Sequence, residues 1–100
     1  MFVHSVYFWL KEDLTSEQQA QFWQGVNSLA TIGTVRQAYV GRPAPTDRPV
    51  IDHSYTCALI LAFDDQAGHD LYQSDPVHDR FRDECSPLWS RVLIYDALAS

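Results

Sequence analysis

The sequence predicts an α+β domain in which helices pack on a four-stranded antiparallel sheet. Short apolar segments alternate with helical patterns along the chain, as expected for such a mixed class. Apolar residues make up 46% of the sequence, which is enough for a hydrophobic core. A length of 100 residues leaves room for a single domain, which we expect to span 1–100.

The first half of the chain predicts a strand, a helix and a second strand. Residues 2–10 are rich in β-branched and aromatic side chains, which favour a strand. Thr15 or Ser16 serves as the N-cap of a helix that ends before Gly33. Residues 34–41 predict a strand that is less apolar than the first, so we expect it at an edge of the sheet.

The second half predicts a loop, a strand, an interrupted helix and a last strand. The loop at 42–53 contains three prolines, and residues 54–63 form the strongest strand, apolar on both faces. A short helix follows, and Asp75 with Pro76 restarts it. Residues 91–97 complete a ferredoxin-like βαββαβ order, in which right-handed connections place the helices on one side of the sheet.

The face of the sheet opposite the helices predicts self-association. The first, third and fourth strands carry apolar side chains on both faces, whereas a half-exposed antiparallel strand alternates apolar with polar residues. Burying each aliphatic or aromatic side chain contributes about 1.5–3 kcal/mol. The sequence therefore predicts a homodimer through the sheet face, which resembles a closed α+β barrel.

Charge and cysteine content exclude several classes of protein. A net charge of −6 disfavours nucleic acid as a partner, and no apolar segment approaches the length of about 20 residues that spans a membrane. The apolar start lacks the basic flank of an export signal. Cys57 and Cys85 are expected as buried thiols in a cytoplasmic protein. No cofactor-binding or metal-ligand motif is present, so neither a cofactor nor a metal site is predicted.

The four histidines fall into different environments. His53 and His69 lie beside polar residues, so both are expected on the solvated surface. His4 alternates with apolar residues of the first strand and is expected to point into an apolar layer. There it is either a core histidine satisfied by a neighbour or a polar group that orients a ligand.

His78 and Tyr72 are the candidates for proton transfer. His78 lies in the first turn of a helix, where the helix dipole disfavours added positive charge and so favours a neutral imidazole that can act as a base. Tyr72 lies just before the helix break, which can bring its hydroxyl to the same cavity. A capping histidine and a tyrosine of the core are the structural alternatives.

The pattern Tyr-x3-Pro-x-His-x2-Phe from Tyr72 to Phe81, with the segments 4–8 and 93–96, resembles the stress-responsive A/B barrel (Dabb) family. The likeness covers essentially the whole chain. It implies a dimeric ferredoxin-like α+β barrel, in agreement with the sheet-face argument. Family resemblance does not fix an activity, because one fold supports several chemistries.

The resemblance also implies a site. In a plant polyketide cyclase that is similar along this chain, a histidine and a tyrosine matching His78 and Tyr72 serve an aldol-type ring closure. Val26 and Cys57 stand where that enzyme has a tyrosine and a histidine. The implied substrate-binding pocket is lined by His4, Val6, Phe8, Phe22, Val26, Leu59, Leu61, Phe81, Trp89, Val92 and Ile94.

Two functions remain open from the sequence. One is the binding of a small apolar or aromatic molecule, with lyase- or cyclase-type acid–base catalysis by His78 and Tyr72 and no cofactor. The other is a noncatalytic stress-related or accessory dimer, in which the protein's own side chains fill the pocket. For an oxygenase-like or haem-related activity the sequence offers no ligand constellation.

Overall fold

Four strands form one antiparallel sheet in the order β2-β3-β1-β4 in the computed structural model, which describes residues 1–99. The elements are β1 (Phe2–Leu10), α1 (Ser16–Ser28), β2 (Val35–Gly41), β3 (Cys57–Phe63), α2 (Gln66–Gln73), α3 (Pro76–Cys85) and β4 (Trp89–Leu98). Single turns of 3₁₀ helix follow α1 and α3. This arrangement confirms the predicted α+β, ferredoxin-like class and the edge position of β2.

The predicted bounds of β3 and β4 were wrong. β3 begins at Cys57 rather than at residue 54, because the hydroxyl of Thr56 accepts the Leu10 amide at 3.0 Å in place of a backbone carbonyl. β4 is longer than the predicted 91–97, since its pairing with β1 continues to Trp89 at one end and Leu98 at the other. The extra length places Trp89 opposite Leu10.

Each helix begins at a local capping signal. The Thr15 hydroxyl accepts the Gln18 amide, and the Gln18 side chain accepts the Thr15 amide, which forms a capping box at α1. The Asp65 carboxylate accepts the Gly68 amide at 2.9 Å at α2. The Asp75 carboxylate accepts an amide of the first turn of α3, where the proline follows the cap.

The hydrophobic core lies between the sheet and α1 and α3. Phe22 and Val26 of α1 are completely buried against the sheet. Gly25 lets α1 approach α3 closely, because a Cβ at this position would lie 2.7 Å from the Cys85 Sγ and 3.2 Å from a ring carbon of Phe81. The α1 backbone at Gly25 therefore packs directly against the Cys85 thiol and the Phe81 ring of α3.

The opposite face of the sheet carries no helix. Tyr7 and Trp9 of β1 and Leu93 of β4 are partly buried there, and Tyr95 is 62% exposed. The guanidinium of Arg91 stacks over the Trp9 ring at 4.3 Å from its centroid. Within residues 1–99, no helix is both long enough and apolar enough to cross a membrane.

Candidate functional site

A cavity of about 450 Å³ lies between the helices and the β1–β4 half of the sheet. Val6 and Phe8 of β1 form part of its wall, and their partners across the strand pair are Ile94 and Val92 of β4. Directly opposed residues in an antiparallel pair share one face of the sheet. The cavity falls within the size range of small-molecule sites, about 300–1,000 Å³.

The break between α2 and α3 brings Tyr72 and His78 together. Tyr72 lies in the last turn of α2, and Asp75 and Pro76 start the next helix with His78 in its first turn. The two rings meet edge to face with their centroids 4.9 Å apart. Both residues line the cavity, although no hydrogen bond joins them among residues 1–99.

His78 has the properties of a neutral base. Burial lowers its pKa, the Arg82 guanidinium lowers it further, and the Asp79 carboxylate opposes these effects. Its Nδ1 is buried and has no hydrogen-bond partner within the described part of the chain. A neutral imidazole with an unpartnered ring nitrogen can exchange a proton with a bound molecule.

Tyr72 is suited to donating a hydrogen bond. Its side chain is almost completely buried, and burial strongly raises the pKa of the phenol above its ordinary value. The hydroxyl therefore stays protonated at any physiological pH. A protonated phenol beside a neutral imidazole is a pairing of one hydrogen-bond donor with one base.

His4 is buried and bonded to Asp96. Its Nδ1–H donates to the Asp96 Oδ1 at 2.5 Å, from the neighbouring strand β4. Burial lowers the pKa of His4, while the hydrogen bond and the charge of Asp96 offset part of that effect. The sequence indicated the inward direction of His4 but not the carboxylate, whose partnership follows from the strand register.

The surface position predicted for His69 was wrong. His69 is only 7% exposed, stacks on Phe2 at 4.4 Å between centroids, and lies 4.9 Å from the His4 ring. The helical spacing could have predicted this burial, because His69 is three residues before Tyr72 on the same face of α2. Leu71, which is apolar, is instead 63% exposed. His53 is exposed, as predicted.

Ten predicted site residues lie together at the cavity, and three do not. Phe22, Val26 and Leu61 are completely buried in the packed core beside it and do not line the cavity. The ten that line it are His4, Val6, Phe8, Leu59, Tyr72, His78, Phe81, Trp89, Val92 and Ile94.

Sequence reasoning missed four residues of the cavity wall, which are Leu29, Gln73, Arg82 and Ser86. Arg82 could have been found, since it lies one helical turn after His78 on α3. Gln73 and Ser86 lie at helix ends, where no periodicity indicates the direction of a side chain. Leu29 follows α1 in a 3₁₀ turn.

The two cysteines are buried and unpaired, as predicted. Burial raises the pKa of Cys57 to about 12 and that of Cys85 to about 11. Neither thiol lines the cavity. A thiol that remains protonated is a poor nucleophile, so the imidazoles and the phenol are the candidate reactive groups at the cavity.

The sheet order, the helices on one face and the cavity beneath them define an α+β protein of the ferredoxin-like class. Within that class, the family model of the stress responsive A/B barrel domain matches residues 2–98, so the chain belongs to this family. The resemblance seen in the sequence is thereby confirmed. No curated protein matches the chain.

Solved structures resemble the chain over nearly its full length. A Dabb family protein with a ferredoxin-like fold from Mesorhizobium loti is 28% identical, with a TM-score of 0.78, over 99% of this chain and 96% of that one. A hydroxynitrile lyase from Passiflora edulis is 19% identical, with a TM-score of 0.80 and coverages of 99% and 93%. A dimeric ferredoxin-like protein of unknown function from Thermobifida fusca is 19% identical, with a TM-score of 0.77 and coverages of 98% and 90%.

Proposed function

We propose that the cavity binds a small apolar or aromatic molecule and that His78 and Tyr72 perform cofactor-independent acid–base chemistry on it. His78 removes a proton, and the Tyr72 hydroxyl donates a hydrogen bond to the carbonyl or enolate oxygen that gains charge. The reaction is of the cyclase, isomerase or lyase type. The observation that carries the proposal is the buried, unpartnered Nδ1 of His78 beside a protonated phenol at one cavity.

The lining of the cavity supports this class of ligand. Aromatic rings from three elements, Phe8, Phe81 and Trp89, pack with centroids 5.0 to 5.9 Å apart and form one side of the wall. Such a wall favours a planar apolar body, while the few polar groups orient its oxygens. The lyase from Passiflora edulis supports lyase chemistry on this fold.

The noncatalytic alternative has less support. It requires a pocket filled by the protein's own side chains, with Tyr72 and His78 bonded to each other or to backbone. A cavity of about 450 Å³ remains beside both residues, and the His78 Nδ1 has no such bond within the described chain. These two observations favour a site for a ligand.

A panel of aromatic and β-polyketone compounds tests the proposal. We expect at least one compound to bind the wild-type protein, measured by calorimetry, and to be turned over. Both His78→Ala and Tyr72→Phe should lower turnover by about 100-fold or more, as is usual for loss of a positioned acid or base. His53→Ala, which changes an exposed histidine, is the matched control and should retain turnover.

Circular dichroism distinguishes a catalytic from a structural effect in these variants. Tyr72→Phe keeps the buried ring, so its fold should remain native. If no compound in the panel binds the wild-type protein, or if folded His78→Ala and Tyr72→Phe turn a substrate over at the wild-type rate, the proposal is wrong.

We also propose that two copies of the chain pair through the helix-free face of the sheet. Tyr7, Trp9, Leu93 and Tyr95 form an aromatic and aliphatic surface there that one chain leaves accessible. The similar protein from Thermobifida fusca is described as dimeric, which supports this state. Pairing the faces shields these side chains from water.

Sedimentation tests the pairing. The wild-type protein should have twice the chain mass of 11.4 kDa at micromolar concentration, whereas Tyr95→Glu should shift it toward the monomer by placing charge in the interface. Leu71→Glu, at an equally exposed apolar position on α2, is the control and should remain dimeric. A folded wild-type monomer at this concentration would exclude the pairing.

A further inference from the structure

Two buried histidines near the cavity are each fixed by a carboxylate through the same ring nitrogen. The Nδ1 of His4 bonds to the Asp96 Oδ1 at 2.5 Å, and the Nδ1 of His69 bonds to the Asp70 Oδ1 at 3.1 Å. For His4, the nitrogen and the oxygen that share this bond can both ligate one ion once the proton between them is lost. For His69, the Asp70 carboxylate holds the imidazole proton on Nδ1, which leaves the lone pair on Nε2. Histidines that bind metal ions are commonly oriented in this way.

The Nε2 of His69 has no hydrogen-bond partner within residues 1–99, although it is buried. His69 is 7% exposed, and its ring is surrounded by Phe2, Phe63 and the rings of His4 and Tyr72. Leaving a polar atom buried and unpaired costs about 1–3 kcal/mol. A bound group that accepts this lone pair would remove the cost.

Three donors converge at this position from three different elements. One donor atom from each of His4, His69 and Asp96 lies within 4.8 Å of the other two. Donors bound to one zinc ion at about 2.0–2.1 Å are separated by about 3.3 Å, so the most widely separated pair would have to approach by up to about 1.5 Å.

We propose that His4, His69 and Asp96 form a binding site for one divalent transition-metal ion. Two imidazoles and one carboxylate suit Zn²⁺, Co²⁺ or Ni²⁺ better than Mg²⁺ or Ca²⁺, which prefer oxygen donors. The Asp96 side chain is 39% exposed, which gives the ion a path from solvent. The net charge of −6 favours the approach of a cation.

This site is separate from the proposed base. His78 is not among the three donors, although His4 lines the same cavity and the Tyr72 ring contacts His78. Metal binding is measured without substrate, so its failure would leave the proposed acid–base chemistry untouched. Likewise, an inactive protein could still bind the ion.

Titration of the metal-free protein with Co²⁺ tests the inference. The protein, free of any histidine tag, is stripped with a chelator and followed by the visible absorption of bound Co²⁺, with displacement by Zn²⁺. We expect saturation at about one ion per chain and a thermal midpoint that rises with Zn²⁺. His69→Phe, which preserves ring packing, should weaken binding by about 100-fold or more.

Two further variants keep the test decisive. Asp96→Asn removes a partly exposed donor with little effect on packing, so it should fold even if His69→Phe does not, and it should weaken Co²⁺ binding by at least about tenfold. His53→Ala removes an exposed histidine and should leave the titration unchanged. The inference is overturned if the wild type shows no saturable binding, or if folded His69→Phe and Asp96→Asn bind Co²⁺ as the wild type does.

Discussion

The two strands that flank β1 supply similar side chains to the helix side of the sheet but meet different environments. Leu59 and Leu61 of β3 are 1% and 0% exposed, whereas Val92 and Ile94 of β4 are 39% and 47% exposed. All four face the same way, since their partners on β1 are residues of the helix-facing set. Only the β3 half is covered by packed side chains.

Apolar side chains of one kind can therefore build either a core or the wall of a cavity. Leu59 and Leu61 belong to the packed core that also contains Phe22 and Val26 of α1, while Val92 and Ile94 of β4 line the open cavity. A partly exposed apolar wall stabilises the protein further only when another group covers it and shields it from water. The open half is thus the part of the fold that a ligand can stabilise.

Alanine substitutions on β3 and on β4 should give the largest difference in the free energy of unfolding. Leu61→Ala leaves a void in a closed core and should lower the free energy of unfolding by about 2–5 kcal/mol. Ile94→Ala removes a half-exposed side chain and should cost under about 1 kcal/mol. Urea unfolding at equal protein concentration measures both. Equal losses would mean that the β4 half is as tightly packed as the β3 half.

The close contact between α1 and α3 should also be destabilised by added side-chain volume. Gly25→Ala places a methyl group 2.7 Å from the Cys85 Sγ, so we expect a loss of about 1–3 kcal/mol, despite the better helix propensity of alanine. Gly33→Ala is the matched control, since nothing lies within 4 Å of its new Cβ. Unfolding in urea should separate the two variants, and a neutral Gly25→Ala would contradict the close contact of α1 and α3.

The element order could be predicted because each signal is local. The Thr15 capping box, the Asp75–Pro76 start and the alternation in β1 and β3 each act over a few residues. The start of β3 could not be predicted, because a long-range bond from the Leu10 amide to the Thr56 hydroxyl ends the ladder. Residue composition does not encode such a contact.

The site could be predicted only in part, and the resemblance supplied its lining. Alternation along β1 indicated that His4 points inward, but the bond to Asp96 depends on the register of β1 with β4, which is set across the chain. His69 was misplaced because its polar neighbour, Asp70, was weighed above its helical spacing to Tyr72. Val26 and Leu61 are apolar like the residues of the cavity wall, so the sequence did not distinguish these core positions from it.

The smallest expected effect concerns the pKa of His78 in the wall of the cavity. Burial and the Arg82 guanidinium both lower the pKa of His78, Asp79 raises it, and His4 and His69 contribute further lowering. His78 should therefore titrate below 6.5 in an NMR experiment. As pH falls below 6.5 the unfolded chain binds the proton first, so acid reduces stability until the folded-state pKa is reached.

Arg82→Gln should move the His78 pKa upward toward its ordinary value, because it removes the cation that opposes protonation. The pH window in which acid destabilises the fold should narrow accordingly. Arg80→Gln removes an equal charge from an exposed position on the same helix that does not line the cavity, so its effect should be smaller. Equal shifts from both variants would mean that the general charge of α3, rather than the place of Arg82 in the cavity wall, controls the pKa of His78.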